Sequence, residues 1–396
     1  MLYLLKNLSN VSGLGPLRIF GSHLVLICIG AALTLILSFV LLPKLWNRLP
    51  RDRGKSLTPD GKQSEGKPTG AGVVFFLLVL PVLFLVLPIL PPTPQAFVSD
   101  DGGFSWRGFS MLLRKEWLCV GCIYLAMLSG YLDDRSIKPW GRSKKLALDI
   151  IISFLAGIAL CKFQSMELWI PFTKVTFDIH WFIYAIITTA IITVILNVTN
   201  CSDGIDGLVG TQTIVSLLIL TIFLYGVVGH EKVAAYLLVP HNPDGAYWAI
   251  LTSTFTGSLL AYLWYNAEPS SVLMGDAGSR GIGMLMGIAI MATGNPFILF
   301  AIMPVVLFDG ICGLIKISYL KVLKKIGRGV EKIPTSREEL DALPWHHLIA
   351  FAFRCPVHDH CRKELGWSKI QVVIRFLIIQ LILMPTLLIL IIKIHL

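Results

Sequence analysis

The chain has 396 residues, 55% of them hydrophobic and 15% charged, with a mean hydropathy of +0.73. Soluble proteins carry about 25% charged residues, so this balance excludes an ordinary soluble enzyme and points to a membrane. The net charge of +10 does not indicate a nucleic-acid partner, because the basic residues are spread through the connections between apolar runs.

A bilayer core takes about 20 apolar residues per helix. In chain order, ten runs read as spans, the eighth of them short: about 22–43, 71–90, 115–132, 146–162, 181–198, 211–229, 246–264, 281–295, 297–320 and 370–394. The predicted fold is therefore all-α, a polytopic membrane protein forming one integral membrane domain over residues 1–396. The first run is long enough to stay in the bilayer, so no cleaved leader is expected. The eight cysteines lie mostly in or beside apolar runs and read as small buried hydrophobes rather than a disulfide framework.

Lys and Arg set the orientation. With both termini periplasmic, the connections 44–70, 133–145, 199–210, 265–280 and 321–369 face the cytoplasm and hold 23 basic residues, against 7 on the other side. Those same five connections hold every unusual polar cluster. A surface-access enzyme concentrates its chemistry on one face in this way, whereas a transporter more often places polar groups mid-membrane.

The clusters follow in order. Gly66-Lys67-Pro68-Thr69-Gly70-Ala71-Gly72 enters the second span, and Lys67 and Thr69 among glycines suit a phosphate or nucleotide edge. It is not a phosphate-binding loop of the strand–loop–helix kind. Asp133 and Asp134 end the third span. Adjacent carboxylates repel unless a cation or proton lies between them, which suits Mg²⁺ or a general base; a solvated helix end is the plain alternative. Lys144 and Lys145, at the start of the fourth span, suit a lipid phosphate or serve as ordinary positive-inside charge. Asn197, Asn200, Asp203 and Asp206 occupy a segment with no Lys or Arg, which suits a divalent metal and sugar or nucleoside hydrogen bonds.

Asn266 opens the next cluster, which ends in Gly275-Asp276-Ala-Gly278-Ser279. Asp276 there stands at a helix N-terminus, where backbone N–H groups favour phosphate and its metal. Finally, Pro356-Val-His358-Asp359-His360 carries two imidazoles able to steady a pyrophosphate or donate a proton. Zinc is a poor reading of Cys355, His358, His360 and Cys361, whose spacing fits no familiar pattern. His346 and His347 form a second pair nearby.

Taken together, these clusters resemble the polyprenyl-phosphate N-acetylhexosamine-1-phosphate transferase superfamily. The resemblance runs in order from about residue 51 to the end through the Asp-Asp pair, the Asn-x-x-Asn-x-x-Asp-Gly-x-Asp-Gly-Leu segment, Gly-Asp-x-Gly-Ser and the late histidines. The stretch from Pro356 to Ser368, with Gly366-Trp367, is similar to the branch that uses a muramoyl-pentapeptide donor. The sequence departs from that branch's pattern at Asp359, where a middle histidine is usual, at Ala71 for a glycine, and at Leu273 for a phenylalanine. Residues 326–350 look like extra chain.

The resemblance implies transfer of phospho-N-acetylmuramoyl-pentapeptide from a UDP-linked donor to undecaprenyl phosphate in the bacterial inner membrane. It implies Mg²⁺ held chiefly by Asp276 with Asp133 or Asp206, and a homodimer. Asp133, Asp134, Asp276, His358 and His360 become the expected catalytic residues. Lys67, Thr69, Lys145, Asn197, Asn200, Asp203, Asp206 and Asn266 become the expected substrate contacts. A sister enzyme transferring N-acetylglucosamine-1-phosphate shares the core segments, and a lipid-linked flippase is the rival of another class. The flippase reading needs charges deep in the spans, and Asp149, Asp309, Lys316 and Arg375 are the few present.

Overall fold

The computed structural model describes residues 2, 5, 15–52, 64–89, 113–136, 140–169, 171, 176–326 and 354–393. His346, His347 and residues 327–350 lie outside the described residues. The described chain is overwhelmingly helical: α1 (His23–Leu45), α2 (Ala71–Val86), α3 (Lys115–Arg135), α4 (Arg142–Cys161), α5 (Trp181–Ser202), α6 (Leu208–Phe223), α7 (Glu231–Leu237), α8 (Gly245–Asn266), α9 (Gly275–Met291), α10 (Ile298–Ile302), α11 (Pro304–Lys325), α12 (Val357–Lys363) and α13 (Lys369–Lys393). A short antiparallel hairpin, β1 (Met166–Trp169) and β2 (Thr176–Ile179), joins α4 to α5.

Four stretches are long and apolar enough to cross a membrane by length and composition: His23–Arg48, Trp181–Ser202, Leu208–Val228 and Lys369–Ile392. They expose apolar side chains such as Ile36, Ile183, Ile222 and Ile382, as lipid-facing helices do. The chain is a multi-pass membrane protein in which some helices are buried among the others. The clearest case is α9, buried at every position from Ala277 to Met291. A helix buried all round belongs to a core, and its glycines let neighbours close in. A Cβ at Gly281, Gly283 or Gly287 would meet Phe76, Leu196 or Ile192 at under 3.0 Å.

Helix pairing follows membrane rules, in which small residues bring backbones together and hydroxyls bond across the gap. At the α1–α8 contact, Thr34 Oγ1 donates to the Thr254 carbonyl at 2.7 Å and the Ser38 and Ser258 hydroxyls meet at 2.6 Å. Ser258 Oγ also donates to the Phe75 carbonyl of α2 at 3.0 Å.

The boundaries differ from the sequence reading in three places. The span expected at 281–295 begins at Gly275, so Asp276 lies in the first helical turn. The segment expected as a connection over 199–210 shrinks to 203–207, which puts Asn197 and Asn200 on α5. The span expected at 297–320 is two helices, α10 and α11, parted at Met303. Pro304 explains that break: it lacks an N–H to continue α10, yet its fixed φ suits the first turn of α11.

Candidate active site

The C-terminal ends of α3, α5 and α8 meet the N-terminal ends of α2, α4 and α9 at one end of the bundle. Asp134 fixes this meeting. Its carboxylate accepts from the backbone N–H groups of Asp276 and Ala277, both at 3.0 Å. It thus caps α9 from a different helix, satisfying donors that a helix start leaves orphaned. Burial, and then the nearby Asp276 carboxylate, push the Asp134 carboxyl up to about 7.

Space is tight there. Gly275 has φ +71°, and a Cβ on it would stand 2.4 Å from Asp134 Oδ2 and 2.6 Å from the Gly70 nitrogen. Only glycine fits both the conformation and the gap. Backbone bonds then tie the entry of α2 to the entry of α9: Leu273 N to the Pro68 carbonyl at 2.8 Å, Ala71 N to the Leu273 carbonyl at 3.1 Å, and Gly72 N to the Met274 carbonyl at 3.2 Å. The departures at Ala71 and Leu273 therefore fall on backbone that joins the two segments.

Asp133 and Asp276 converge on one cation, the Lys145 ammonium of α4. It bonds Asp276 Oδ2 at 2.7 Å and pairs with Asp133 Oδ2. Asp133 is buried and its other oxygen accepts from the Trp140 N–H at 2.7 Å. Asn200 of α5 donates to Asp276 Oδ1 at 3.0 Å and to Ser279 Oγ at 2.9 Å. Burial works against the charged form of Asp276, but Lys145 and these hydrogen bonds outweigh it and hold the carboxyl below its usual range. Burial likewise opposes the Lys145 charge, and Asp276 and Asp133 overcome it and raise its pKa.

This arrangement fits a divalent cation. Two carboxylates from different helices already share one positive charge, with a third, Asp134, beside them. The oxygens are the hard donors that Mg²⁺ takes. Asp206 stands in a different group: it accepts from Ser270 Oγ at 2.7 Å and lies 3.9 Å from Lys67 Nζ. Burial raises its carboxyl, as does the neighbouring Glu268, against the Ser270 hydrogen bond. Among the described residues no three His, Cys, Asp or Glu side chains gather into a metal-binding group; Asp276 has Asp133 across Lys145, and Asp206 contacts Ser270 and Lys67.

The other expected residues fall around this centre. Lys67 Nζ donates to Ser270 Oγ at 3.0 Å. Thr69 donates its backbone N–H to the Pro50 carbonyl at 2.9 Å. Asn266 accepts from the Gly207 N–H at 2.7 Å and donates to the Val272 carbonyl at 2.9 Å, so it fastens two loops together. Asn197 donates to the Thr193 carbonyl at 2.8 Å and to Asp149 at 3.4 Å. Asp203 is half-buried at the end of α5.

His358 is buried on α12. Asp309 of α11 accepts both its backbone N–H, at 2.9 Å, and its Nδ1 contact, at 2.8 Å. Its Nε2 lies against Gly204, where a Cβ would come within 2.4 Å. That seats the imidazole beside the loop following Asn200. His360 is half-buried and accepts from the Arg354 N–H at 3.4 Å. Sequence reasoning noted Asp309 only as a charge that a transporter would need. Its pairing to a residue 49 positions away left no local signal.

One prediction arises from the packing. A Cβ on Gly130 would stand 2.2 Å from the Asp276 carbonyl. Gly130→Ala should therefore push the start of α9 off α3. It is expected to cost about 1–3 kcal/mol of stability, as overpacking does, and to slow turnover more than tenfold through displacement of Asp276. Thermal melting and rate measured on the same preparation check both.

The chain also aligns with known proteins. Residues 117–294 match the family described as Glycosyl transferase family 4. A phospho-N-acetylmuramoyl-pentapeptide-transferase of Treponema pallidum (strain Nichols) is 34% identical over 370 residues, covering 92% of this chain and 89% of that protein. Proteins of the same name from Bartonella quintana (strain Toulouse) and Opitutus terrae are 26% and 25% identical over 85% and 93% of the chain, and 84% and 93% of their own lengths. With the paired aspartates, the Asn-rich helix end and the Gly-Asp turn meeting at one end of an apolar bundle, and with likeness along nearly its whole length, the chain belongs to the phospho-N-acetylmuramoyl-pentapeptide-transferase family.

Proposed function

We propose that the protein transfers phospho-N-acetylmuramoyl-pentapeptide from its UDP-linked form to undecaprenyl phosphate, releasing UMP, at the cytoplasmic face of a bacterial inner membrane. The observation that carries this reading is the convergence of Asp133 and Asp276 on the Lys145 ammonium, where α3, α4 and α9 meet. The basic connections at that end support a cytoplasmic orientation, which is where a soluble UDP-sugar would be met. The relatives' shared name supports the muramoyl-pentapeptide donor.

In the proposed reaction an oxygen of the lipid phosphate attacks the sugar-bearing phosphorus. The bond from that phosphorus to the UMP oxygen breaks, and UMP leaves with the electron pair. Such a step asks for positioning and charge neutralisation more than covalent participation. Asp276 and Asp133 would hold Mg²⁺, which when bound would neutralise phosphate charge. Lys145 is placed to donate to a phosphate oxygen. A phosphate monoester is largely ionised near neutral pH, its second pKa being about 6. Asp133 therefore acts through geometry rather than proton removal. Asp134 takes up the first backbone donors of α9 and so fixes the helix start, and with it Asp276, beside Lys145. His358, oriented by Asp309, reaches the diphosphate or sugar side of the site, and Lys67, Thr69, Asn197, Asn200, Asp203, Asp206, Asn266 and His360 form the surrounding substrate contacts.

The test is a donor comparison. Purified protein with undecaprenyl phosphate and Mg²⁺ is expected to release UMP from UDP-N-acetylmuramoyl-pentapeptide and to form a lipid pyrophosphate. Release from UDP-N-acetylglucosamine instead would move the chain to the sister activity. No release from either donor would overturn the transferase reading.

A further inference from the structure

Beneath the Lys145–Asp276–Asn200 contacts lies a second tier that none of the reaction steps uses. Arg280 of α9 pairs with Asp149 of α4 through Nη2, and the same nitrogen donates to the Lys145 carbonyl at 3.2 Å. Asn197 of α5 reaches the other Asp149 oxygen at 3.4 Å. Arg280 and Asp149 are both buried, at 3% and 5% exposure. Arg280 Nη1 finds no hydrogen-bond partner among the described residues, and the residue lines a small polar cavity shared with Lys145, Asn197, Asn200 and Asp276.

The spacing is regular. Lys145 and Asp149 are four residues apart on α4, Asp276 and Arg280 four apart on α9, and Asn200 and Asn197 three apart on α5. Residues at these spacings share one helix face. The lower tier therefore repeats the upper one turn deeper with the signs exchanged: a cation of α4 meets an acid of α9 above, and an acid of α4 meets a cation of α9 below. A buried ion pair is a weak source of stability, since desolvation offsets its attraction. Ionisable groups at this depth are also costly in a membrane protein. Their worth lies in register, because a slide of α4 along α9 breaks both tiers together.

We infer that Arg280 and Asp149 are positioning residues that lock α4 against α9 and so hold Lys145 between Asp133 and Asp276, setting the geometry of the cation site. The pair acts through Lys145 and touches no reacting atom. The inference rests on the site assignment made under Proposed function.

The test uses the full chain in detergent, with UMP release and melting measured with and without Mg²⁺. Arg280→Lys keeps the charge, and with it the fold, but exchanges the rigid guanidinium, whose Nη2 bonds both Asp149 and the Lys145 carbonyl, for a shorter and more flexible stem. It is expected to lower kcat about tenfold with KM for the donor within about twofold, and to need several-fold more Mg²⁺ to reach half of the melting shift. The double variant Asp149→Leu with Arg280→Leu removes both charges together. With neither charge left buried alone, and Asn197 still bonded to the Thr193 carbonyl, it is expected to melt near the wild type and still turn over at least about tenfold slower. A purely structural pair would let this packed apolar replacement recover the full rate. Wild-type kcat and Mg²⁺ response in either folded variant would overturn the inference. Wild-type protein that releases no UMP would refute the transferase reading alone, and the Mg²⁺ melting shifts would still decide the role of the pair.

Discussion

Asp276→Asn is expected to slow UMP release by about a thousandfold while the protein still folds, a loss of the size seen when one preorganised electrostatic contact is removed. The substitution keeps the side-chain shape at the start of α9. An asparagine oxygen still accepts from Asn200 Nδ2, now 3.0 Å from Asp276 Oδ1, and Asp134 still caps the helix from the backbone side. What disappears is the charge. Lys145 is left with Asp133 as its carboxylate partner, and the cation site loses half of its paired acids. Because shape and capping survive, melting should change little while the rate collapses. A variant with near-wild-type turnover would remove Asp276 from the chemistry.

Chelation of Mg²⁺ with EDTA is expected to abolish UMP release, with recovery on adding the metal back. The argument is one of charge. Asp133 and Asp276 share a single ammonium, with Asp134 capping the helix beside them, and a lipid phosphate and a diphosphate must both approach this acidic end of the bundle. Two unit charges 4 Å apart repel by about 4 kcal/mol at an effective dielectric constant of 20. One lysine does not offset that for several phosphate oxygens. UMP release that continues at the same rate in EDTA would remove the metal from the reaction and leave Lys145 as the neutralising group.

Much of this was legible in the chain itself. Each of the ten apolar runs corresponds to helix in the structure, because a bilayer leaves few other ways to satisfy a backbone. Asp133, Asn200 and Asp276 stood out for the same reason: polar residues near the end of an apolar run are costly and therefore conspicuous. The meeting of Asp133 with Asp276 was an expectation from resemblance, and the fold places both on one ammonium.

Other parts were hidden. Asp134 read as the second of two acids, yet it caps a helix that begins about 140 residues later. Asp206 read as a companion of Asp276, yet it is anchored to Ser270. The span at 281–295 read as short for a membrane crossing; its helix begins at Gly275 and is enclosed by protein.

From its own order of residues, this protein's helices and the residue types gathered near their ends were determined, since apolar length and local spacing are properties of neighbours along the chain. Which acid meets which base was decided only by tertiary structure. Lys145 and Asp276 are 131 positions apart, as are Asp149 and Arg280. Their encounter depends on how α4, α5 and α9 pack in depth and rotation, a relation set by side-chain fit across helices and carried by no local stretch of sequence.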